Sequence, residues 1–212
     1  MSVNKLPHMR KHYEAAELNE ANTPDTPLPL FHTWFTQAHE SPIIEANAMT
    51  LATASKDGVP SARIVLLKEM TNEGFVFYTN YLSNKGKNLA ENPNASLLFF
   101  WDILERQVRI EGMVQKVSEQ TSNDYFYQRP SGSQIGAIIS PQSQKIDSKD
   151  QLLQAYTALE KSTDIKKPDH WGGYILMPRL IEFWQGRPNR LHDRIVYELN
   201  QDAKWHKYRL AP

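Results

Sequence analysis

The sequence predicts an α+β domain in which helices flank an antiparallel sheet or barrel. Strand-like segments occur in two runs that are joined by tight turns, and the helical segments are grouped between those runs. No βαβ alternation is visible and no glycine fingerprint opens a helix, which disfavours a Rossmann nucleotide fold. Because the strands are short and evenly spaced, a barrel is favoured over an open sheet.

The first part of the chain predicts an arm, a helix and three strands. Residues 1–27 are polar and contain three prolines, which predicts a loosely held N-terminal arm before a single domain over residues 28–212. Apolar residues at helical spacing predict an amphipathic helix over residues 28–39. Short apolar and β-branched runs bounded by turn signals such as Lys56-Asp57-Gly58 then predict strands over residues 48–54, 61–70 and 75–80.

After residue 80 the sequence predicts both helices and strands. Residues 83–91 predict a short helix, and residues 118–163 predict helices that are interrupted near Pro130 and Pro141. The strands predicted in this part cover residues 95–101, 105–117, 173–177, 180–185, 194–199 and 205–210.

Composition excludes several classes of protein. Lys plus Arg and Asp plus Glu each number 24, so no basic excess points to nucleic acid or an anionic membrane as a partner. The absence of cysteine excludes disulfides, thiolate catalysis and cysteine-held metals. The longest apolar run, residues 97–101, is far shorter than the roughly 20 residues of a membrane span, and no secretory signal opens the chain, so a cytoplasmic protein is expected. His8 and His12 lack the glutamate of a zinc-protease helix, so no metal site is predicted.

The most unusual segment covers residues 181–194. If this segment is extended, Arg190, His192 and Arg194 share one face and repel one another unless an anion lies among them. One interpretation is a binding site for an anionic ligand. The other is that Glu182 and Asp193 neutralise these cations in surface ion pairs.

Arg63 and Lys68 stand at the two ends of an apolar strand. Their spacing of five places them on opposite faces of a regular strand. They would therefore bind different ligands, unless a bulge re-aims one of them. The alternative is an ordinary strand whose charged ends reach solvent.

A third candidate lies at residues 125–134. Tyr125 and Arg129 are four residues apart, Pro130 disfavours helix at Arg129, and Ser133 is placed to cap the next helix. Such a set could bind phosphate at a helix N-terminus. The alternative is a joint between two helices in which Ser133 only caps.

Together these segments resemble the pyridoxamine 5′-phosphate oxidase family over residues 10–212. Residues 182–194 match its C-terminal signature in full: Glu-Phe-Trp-Gln, four residues, then Arg-Leu-His-Asp-Arg. Further agreement comes from Arg-Ile-Val-Leu-Leu-Lys at 63–68, Phe-Tyr-Thr-Asn at 77–80, Glu-Arg-Gln at 105–107, Ser-Gln-Ile-Gly at 133–136 and Arg-Leu-Ala-Pro at 209–212.

The resemblance implies an FMN-binding split β-barrel and a homodimer with FMN in clefts at the subunit interface. It implies that pyridoxamine 5′-phosphate and pyridoxine 5′-phosphate are oxidised to pyridoxal 5′-phosphate, with oxygen as acceptor and hydrogen peroxide as product. Flavin contacts are then expected at Arg63, Ile64, Val65, Leu66, Leu67, Lys68, Tyr78, Thr79, Asn84, Lys85, Gln107, Gln142, Ser143, Trp184 and Arg194. Substrate contacts are expected at Arg10, Tyr13, Lys68, Tyr125, Arg129, Ser133, Arg190 and His192, of which Arg190 and His192 would lie at the reacting end.

Two positions depart from the family pattern. Asn84 precedes Lys85 where the family commonly has Arg-Lys at the flavin phosphate, and His12 replaces an acidic residue in the arm. The weakened flavin position leaves a second interpretation open, in which the protein carries FMN or pyridoxal phosphate without turnover. A third is an oxidoreductase of the same fold that acts on another substrate.

Overall fold

The computed structural model describes residues 12–162 and 164–212. In that part of the chain, nine strands form one sheet, with helices beside it. The helices are α1 (Pro27–Glu40), α2 (Asn84–Glu91), α3 (Glu119–Gln128), α4 (Ser131–Ile139) and α5 (Lys149–Glu160). The strands are β1 (Ala48–Ala54), β2 (Pro60–Leu66), β3 (Glu69–Met70), β4 (Phe75–Asn80), β5 (Asn94–Trp101), β6 (Arg106–Lys116), β7 (Trp171–Gln185), β8 (Asp193–Leu199) and β9 (Trp205–Arg209).

The strands follow the hydrogen-bonded order β2-β1-β5-β6-β7-β4-β3, while β8 pairs with β7 and β9 pairs with β8. The pairs β1–β2, β3–β4, β4–β7, β7–β8 and β8–β9 are antiparallel. The α+β architecture with an antiparallel sheet that the sequence predicts is thus confirmed. Among the described residues the longest helix, α1, has 14 residues, and none is long and apolar enough to cross a bilayer.

The chain divides into two compact units. Among the described residues, the first unit comprises 12–47, 98–110 and 179–212, and the second comprises 48–97 and 111–178.

Aromatic side chains of α1 and of the strands it covers contribute to the core of the first unit. Phe31 of α1 meets Phe99 of β5 edge-on at 5.3 Å between ring centroids. Trp34 meets Phe183 of β7 in the same way at 5.2 Å. Because these side chains recur on one face of the helix, the amphipathic pattern in the sequence becomes a buried contact surface.

In the second unit, β1 and β2 form a hairpin in which Arg63 lies opposite Leu51. Its turn depends on Gly58, whose φ of 81° is a left-handed conformation that glycine adopts without steric cost. The following helix α2 begins where Ser83 accepts a hydrogen bond from the N–H of Gly86 at 3.3 Å.

Two predicted strand boundaries are wrong. The strand predicted over residues 61–70 is divided, because β2 pairs with β1 whereas β3 pairs with β4. The strands predicted over residues 173–177 and 180–185 form the single strand β7. Pro178 lies after the ladder with β4, which ends at Leu176, and before the ladder with β8, which starts at Leu180, so its missing N–H interrupts neither of these two ladders.

Candidate functional site

The second unit contains a cavity of about 440 Å³, which lies within the usual range of small-molecule sites, roughly 300–1,000 Å³. Two of the three segments that the sequence singles out meet at this cavity. Its lining residues are Arg63, Ile64, Val65, Leu66, Lys68, Tyr78, Thr79, Lys85, Tyr125, Arg129, Pro130, Ser133, Gln142 and Trp171.

Arg63 and Lys68 line this one cavity although five positions separate them. Strand β2 ends at Leu66, and the N–H of Lys68 donates to the carbonyl oxygen of Val76 in β4 at 2.9 Å. The chain therefore leaves β1 and joins β4 between the two cations. This break in the strand, rather than a bulge, re-aims Lys68 and brings both charges to the same site.

The guanidinium of Arg63 is held by the neighbouring strand. Its Nη1 donates to the carbonyl oxygen of Leu51 at 3.0 Å and to the hydroxyl of Thr53 at 2.8 Å. Asn88 of α2 donates to the same hydroxyl at 3.1 Å. Since Thr53 is buried, this network fixes the position of the cation independently of any ligand.

Lys85, in the first turn of α2, is a buried cation beside the cavity, whereas Arg63 is half-buried. Its Nζ donates to Oε1 of Gln142 at 2.8 Å, and the hydroxyl of Thr79 donates to the same oxygen at 3.3 Å. Burial and the positive charge of Arg63 lower the pKa of Lys85 to about 8. Two positive charges that repel each other beside a helix N-terminus form a suitable binding site for a phosphate group, because the phosphate relieves the repulsion.

Three aromatic rings form a nearly parallel set beside the cationic end. Tyr78 and Tyr125 stack with centroids 3.9 Å apart, and Tyr78 lies 5.5 Å from Trp171 at an interplanar angle of 15°. Gly173 is paired with Tyr78 in the β4–β7 ladder, and a Cβ there would lie 2.8 Å from the tyrosine ring. The glycine therefore makes room for the stack. Burial raises the pKa of Tyr78 to about 12, so its hydroxyl stays neutral at physiological pH.

Arg129 lies over Trp171, with its guanidinium carbon 4.7 Å from the ring centroid. Its Nη1 is buried and has no hydrogen-bond partner. Pro130 keeps Arg129 extended, at φ −72° and ψ 150°, which ends α3 and leaves the side chain against the cavity. Because a buried guanidinium N–H without an acceptor is costly, this atom points to an anionic ligand.

The prediction that Ser133 caps the following helix is wrong. Helix α4 begins two residues earlier, at Ser131, and Pro130 occupies the capping position. Pro130 fixes a φ that starts a helix, and the N–H of Ser133 already donates to its carbonyl oxygen at 2.8 Å. Ser133 nevertheless lines the cavity with Tyr125 and Arg129.

The segment 181–194 lies in the first unit, and the extended conformation that would place its three cations on one face is interrupted after β7. Residues Pro188–Arg190 form a 3-10 turn in which Asn189 and Arg190 have φ of 57° and 61°. Strand β8 begins only at Asp193. Since strand alternation is absent before that point, it cannot place Arg190, His192 and Arg194 on a shared face.

The imidazole of His192 is oriented by its own loop. The backbone N–H of Arg187 donates to Nδ1 of His192 at 3.1 Å. The ring lies 4.6 Å from Trp184 and 5.7 Å from Tyr13, measured between centroids. Burial and the charge of Arg190 lower the pKa of His192, so the ring is neutral at pH 7.

Arg194 is paired with a buried carboxylate. Its Nε donates to Glu182 at 2.8 Å, and Arg109 donates to the same carboxylate at 2.5 Å. Although burial raises the pKa of Glu182, the hydrogen bonds from Arg194 and Arg109 outweigh this and lower it. The neutralisation that the sequence left open thus holds for Arg194, whereas Asp193 pairs with Arg187 and Arg209.

The remaining predicted residues fall into three groups. Gln107, Trp184 and Tyr13 belong to the first unit. Leu67, Asn84 and Ser143 are in the second unit but are not among the residues that line the cavity, Leu67 being part of the core and Asn84 exposed. Arg10 lies outside the described residues.

Sequence reasoning missed Trp171, Arg187 and Glu105. The pair Gly172-Gly173 after Trp171 is a weak signal of close packing at a strand start. Glu105 stands in the Glu-Arg-Gln run at 105–107 but was given no role there, and Arg187 carries no local signal.

Two family models match the chain. One, described as "Pyridoxamine 5'-phosphate oxidase", matches residues 35–161. The other, described as "Pyridoxine 5'-phosphate oxidase C-terminal dimerisation region", matches residues 171–212.

Curated relatives and solved structures agree with these models. Proteins named pyridoxine/pyridoxamine 5′-phosphate oxidase from Leptospira interrogans and Salinibacter ruber are 51% and 48% identical to the chain, over 98% and 99% of its length and 99% and 100% of theirs. PhzG from Burkholderia lata, solved with tetrahydrophenazine-1-carboxylic acid, has a TM-score of 0.88 at 27% identity, covering 94% of this chain and 100% of that one. A related FMN-binding protein from Nostoc punctiforme has a TM-score of 0.74 at 17% identity, covering 90% and 100%, which supports the split-barrel fold alone.

Proposed function

The chain belongs to the pyridoxamine 5′-phosphate oxidase family, and we propose that it oxidises pyridoxamine 5′-phosphate and pyridoxine 5′-phosphate to pyridoxal 5′-phosphate with FMN as cofactor. The acceptor in this proposal is oxygen and the product is hydrogen peroxide. The observation that carries it is the buried Nη1 of Arg129, which lacks a partner at a cavity lined by further cations and stacked aromatic rings.

The cationic end of the cavity fits the phosphate of FMN. Arg63 and Lys85 supply two positive charges there, and Arg63 is already held by Thr53. Residues 64–66 line the same cavity. When bound, FMN would supply the hydride acceptor and pass electrons to oxygen, since such redox chemistry belongs to the cofactor rather than to side chains.

Arg129, Lys68, Tyr125 and Ser133 would bind the phosphate of the substrate. Phosphate oxygens would satisfy the unpaired Nη1 of Arg129 in the geometry that guanidinium groups favour. This phosphate is remote from the carbon that reacts, so its binding energy serves to orient that carbon. The same charge set argues against an unphosphorylated substrate.

Arg190 and His192 would lie at the reacting end of the substrate. Because Nδ1 of the neutral His192 accepts the N–H of Arg187, its proton is on Nε2. His192 would therefore donate a hydrogen bond to the substrate and hold it in place, rather than remove a proton. The proposal includes a homodimer with FMN at the subunit interface, which the match to a dimerisation region over residues 171–212 supports.

Anaerobic mixing tests the flavin, the substrate and the chemistry together. We expect the purified protein to bind FMN, to lose its yellow colour when pyridoxamine 5′-phosphate is added without oxygen, and to regain it in air with release of peroxide. A protein that refuses FMN would contradict the proposal. Bound flavin that never bleaches would favour the carrier, and bleaching by an unphosphorylated amine alone would favour another oxidoreductase.

A further inference from the structure

The carboxylate of Glu105 holds a segment 90 residues away in sequence. Its Oε2 accepts the backbone N–H groups of Glu14 and Ala15 at 2.8 and 3.0 Å. These two donors belong to residues 13–18, which we call the strap. Consecutive amides that converge on one carboxylate oxygen form charge-assisted hydrogen bonds, which are stronger than neutral ones.

Glu105 is built into the fold at this point. Its side chain is buried, and its own backbone has a φ of 56°, which is unusual for a residue other than glycine. Its carbonyl oxygen accepts the N–H of Gly186 at 2.7 Å, where β7 has just ended. One residue therefore joins the strap to the start of the loop that carries His192.

Gly186 provides the space that the strap occupies. A Cβ at this position would lie 2.8 Å from the Tyr13 ring and 2.9 Å from its Cβ. Tyr13 fits over the glycine and meets Trp184 at 5.7 Å and 88°, an edge-to-face contact. Its ring also meets the imidazole of His192 at 5.7 Å and 77°.

The far end of the strap is held by separate contacts. Arg187 donates through Nη1 to the carbonyl oxygen of Ala16 at 3.1 Å and pairs with the carboxylate of Glu17. The N–H of Leu18 donates to Asp193 at 3.1 Å. Tyr13 lies at the other end, where Glu105 is the anchor.

We infer that Glu105 is a positioning residue, which fixes the strap through its carboxylate and thereby places the Tyr13 ring against His192 and Trp184. The inference rests on the proposed oxidase function and deepens it, because that function assigns His192 to the substrate and the family resemblance implies the same for Tyr13. The anchoring itself is a property of the chain and can be measured without turnover.

Hydrogen exchange on the full-length, FMN-loaded protein tests the anchor. The variant Glu105→Asn replaces the carboxylate with an uncharged amide on a side chain that is one methylene shorter. Asparagine tolerates the left-handed backbone at this position. We expect the amides of residues 14 and 15 to exchange about tenfold faster, because each loses a charge-assisted bond. The amide of Gly186 should keep its rate, since it bonds to the backbone oxygen of residue 105. Glu40→Gln, an exposed carboxylate of the same unit, serves as the charge control.

Two outcomes of this experiment would overturn the inference. Unchanged exchange at residues 14 and 15 would show that Glu105 does not hold the strap. Equal acceleration at Gly186 would show general loosening and hence a merely structural role.

Steady-state kinetics test whether Glu105 acts through Tyr13. We expect Glu105→Asn to raise KM for pyridoxamine 5′-phosphate about fivefold with a smaller change in kcat, and to have no further effect in a Tyr13→Ala background. Additive effects of the two substitutions would overturn the inference. If no turnover is found, the exchange experiment still decides the anchor, and the failure counts against the proposed function alone.

Discussion

The backbone N–H of Arg187 and Nδ1 of His192 form a hydrogen bond of 3.1 Å that determines which ring nitrogen carries the proton. Burial and the nearby Arg190 lower the pKa of His192, so the imidazole is neutral at pH 7 with its hydrogen on Nε2. In this state the ring is a hydrogen-bond donor toward a ligand and has no free lone pair with which to accept a proton.

Replacement of His192 distinguishes a donor from a base. His192→Gln keeps an N–H near the position of Nε2, so we expect kcat/KM to fall by less than about tenfold, whereas His192→Ala should lose about 100-fold. Equal losses in the two variants would show that proton removal is the role of His192. Nitrogen NMR of the ring would report the Nε2–H tautomer independently.

The affinity for FMN should depend on pH through Lys85. Only the protonated amine attracts phosphate, and in the ligand-free protein burial and Arg63 lower its pKa to about 8. The affinity for FMN is therefore highest below that pH and weakens as the pH rises through it, by about tenfold between roughly pH 7 and 9. Flavin titration at several pH values measures this. Lys85→Arg stays charged and should give a flat profile, and an equally flat profile for the unsubstituted protein would contradict the assignment.

Removal of Arg129 should affect substrate binding more than the chemical step. Arg129→Ala is expected to raise KM for pyridoxamine 5′-phosphate about 10- to 100-fold, because the phosphate loses charge-assisted bonds. The KM of Arg129→Lys should lie between those of the unsubstituted protein and the alanine variant. Arg179, whose side chain is 63% exposed and 3.8 Å from Glu198, provides the control. An unchanged KM in the alanine variant would exclude Arg129 as a phosphate ligand.

Glu182 should contribute to stability through its two arginines. Glu182→Gln leaves Arg109 and Arg194 without their shared carboxylate and should reduce the free energy of unfolding by about 2 kcal/mol at pH 7. Because the pKa of Glu182 is lowered in the folded protein, this contribution is present above the unfolded pKa and is lost as pH falls through the folded value. Urea unfolding should thus show the two proteins converging in acid. Glu198→Gln, at a more exposed pair, should change stability by less than about 1 kcal/mol.

Elements with a clear period were predictable from the sequence alone. The helix predicted over residues 28–39 is α1, and the strands predicted over 48–54 and 75–80 are β1 and β4, because apolar spacing and turn residues agree there. Most of the cavity residues of the second unit were also within reach, since they lie in the motifs that carry the family resemblance, whereas Trp171 does not.

What could not be predicted depends on contacts between distant segments. The re-aiming of Lys68 follows from a change of strand partner, which no local pattern encodes. The turn at Pro188–Arg190 abolishes the alternation of side chains between two faces that an extended segment would have. The hydrogen bonds of Glu105 to the strap join residues 90 and 91 positions apart, and such a pairing is visible only once the chain has folded.

The stack of Tyr78, Tyr125 and Trp171 beneath Arg129 also has an optical consequence. Light absorbed by either tyrosine passes readily to the indole, and the guanidinium above it sets the local electric field. We expect an anion that draws the guanidinium toward itself to change that field and so to shift the emission of Trp171. The indole would then serve as an intrinsic fluorophore for filling of the cavity.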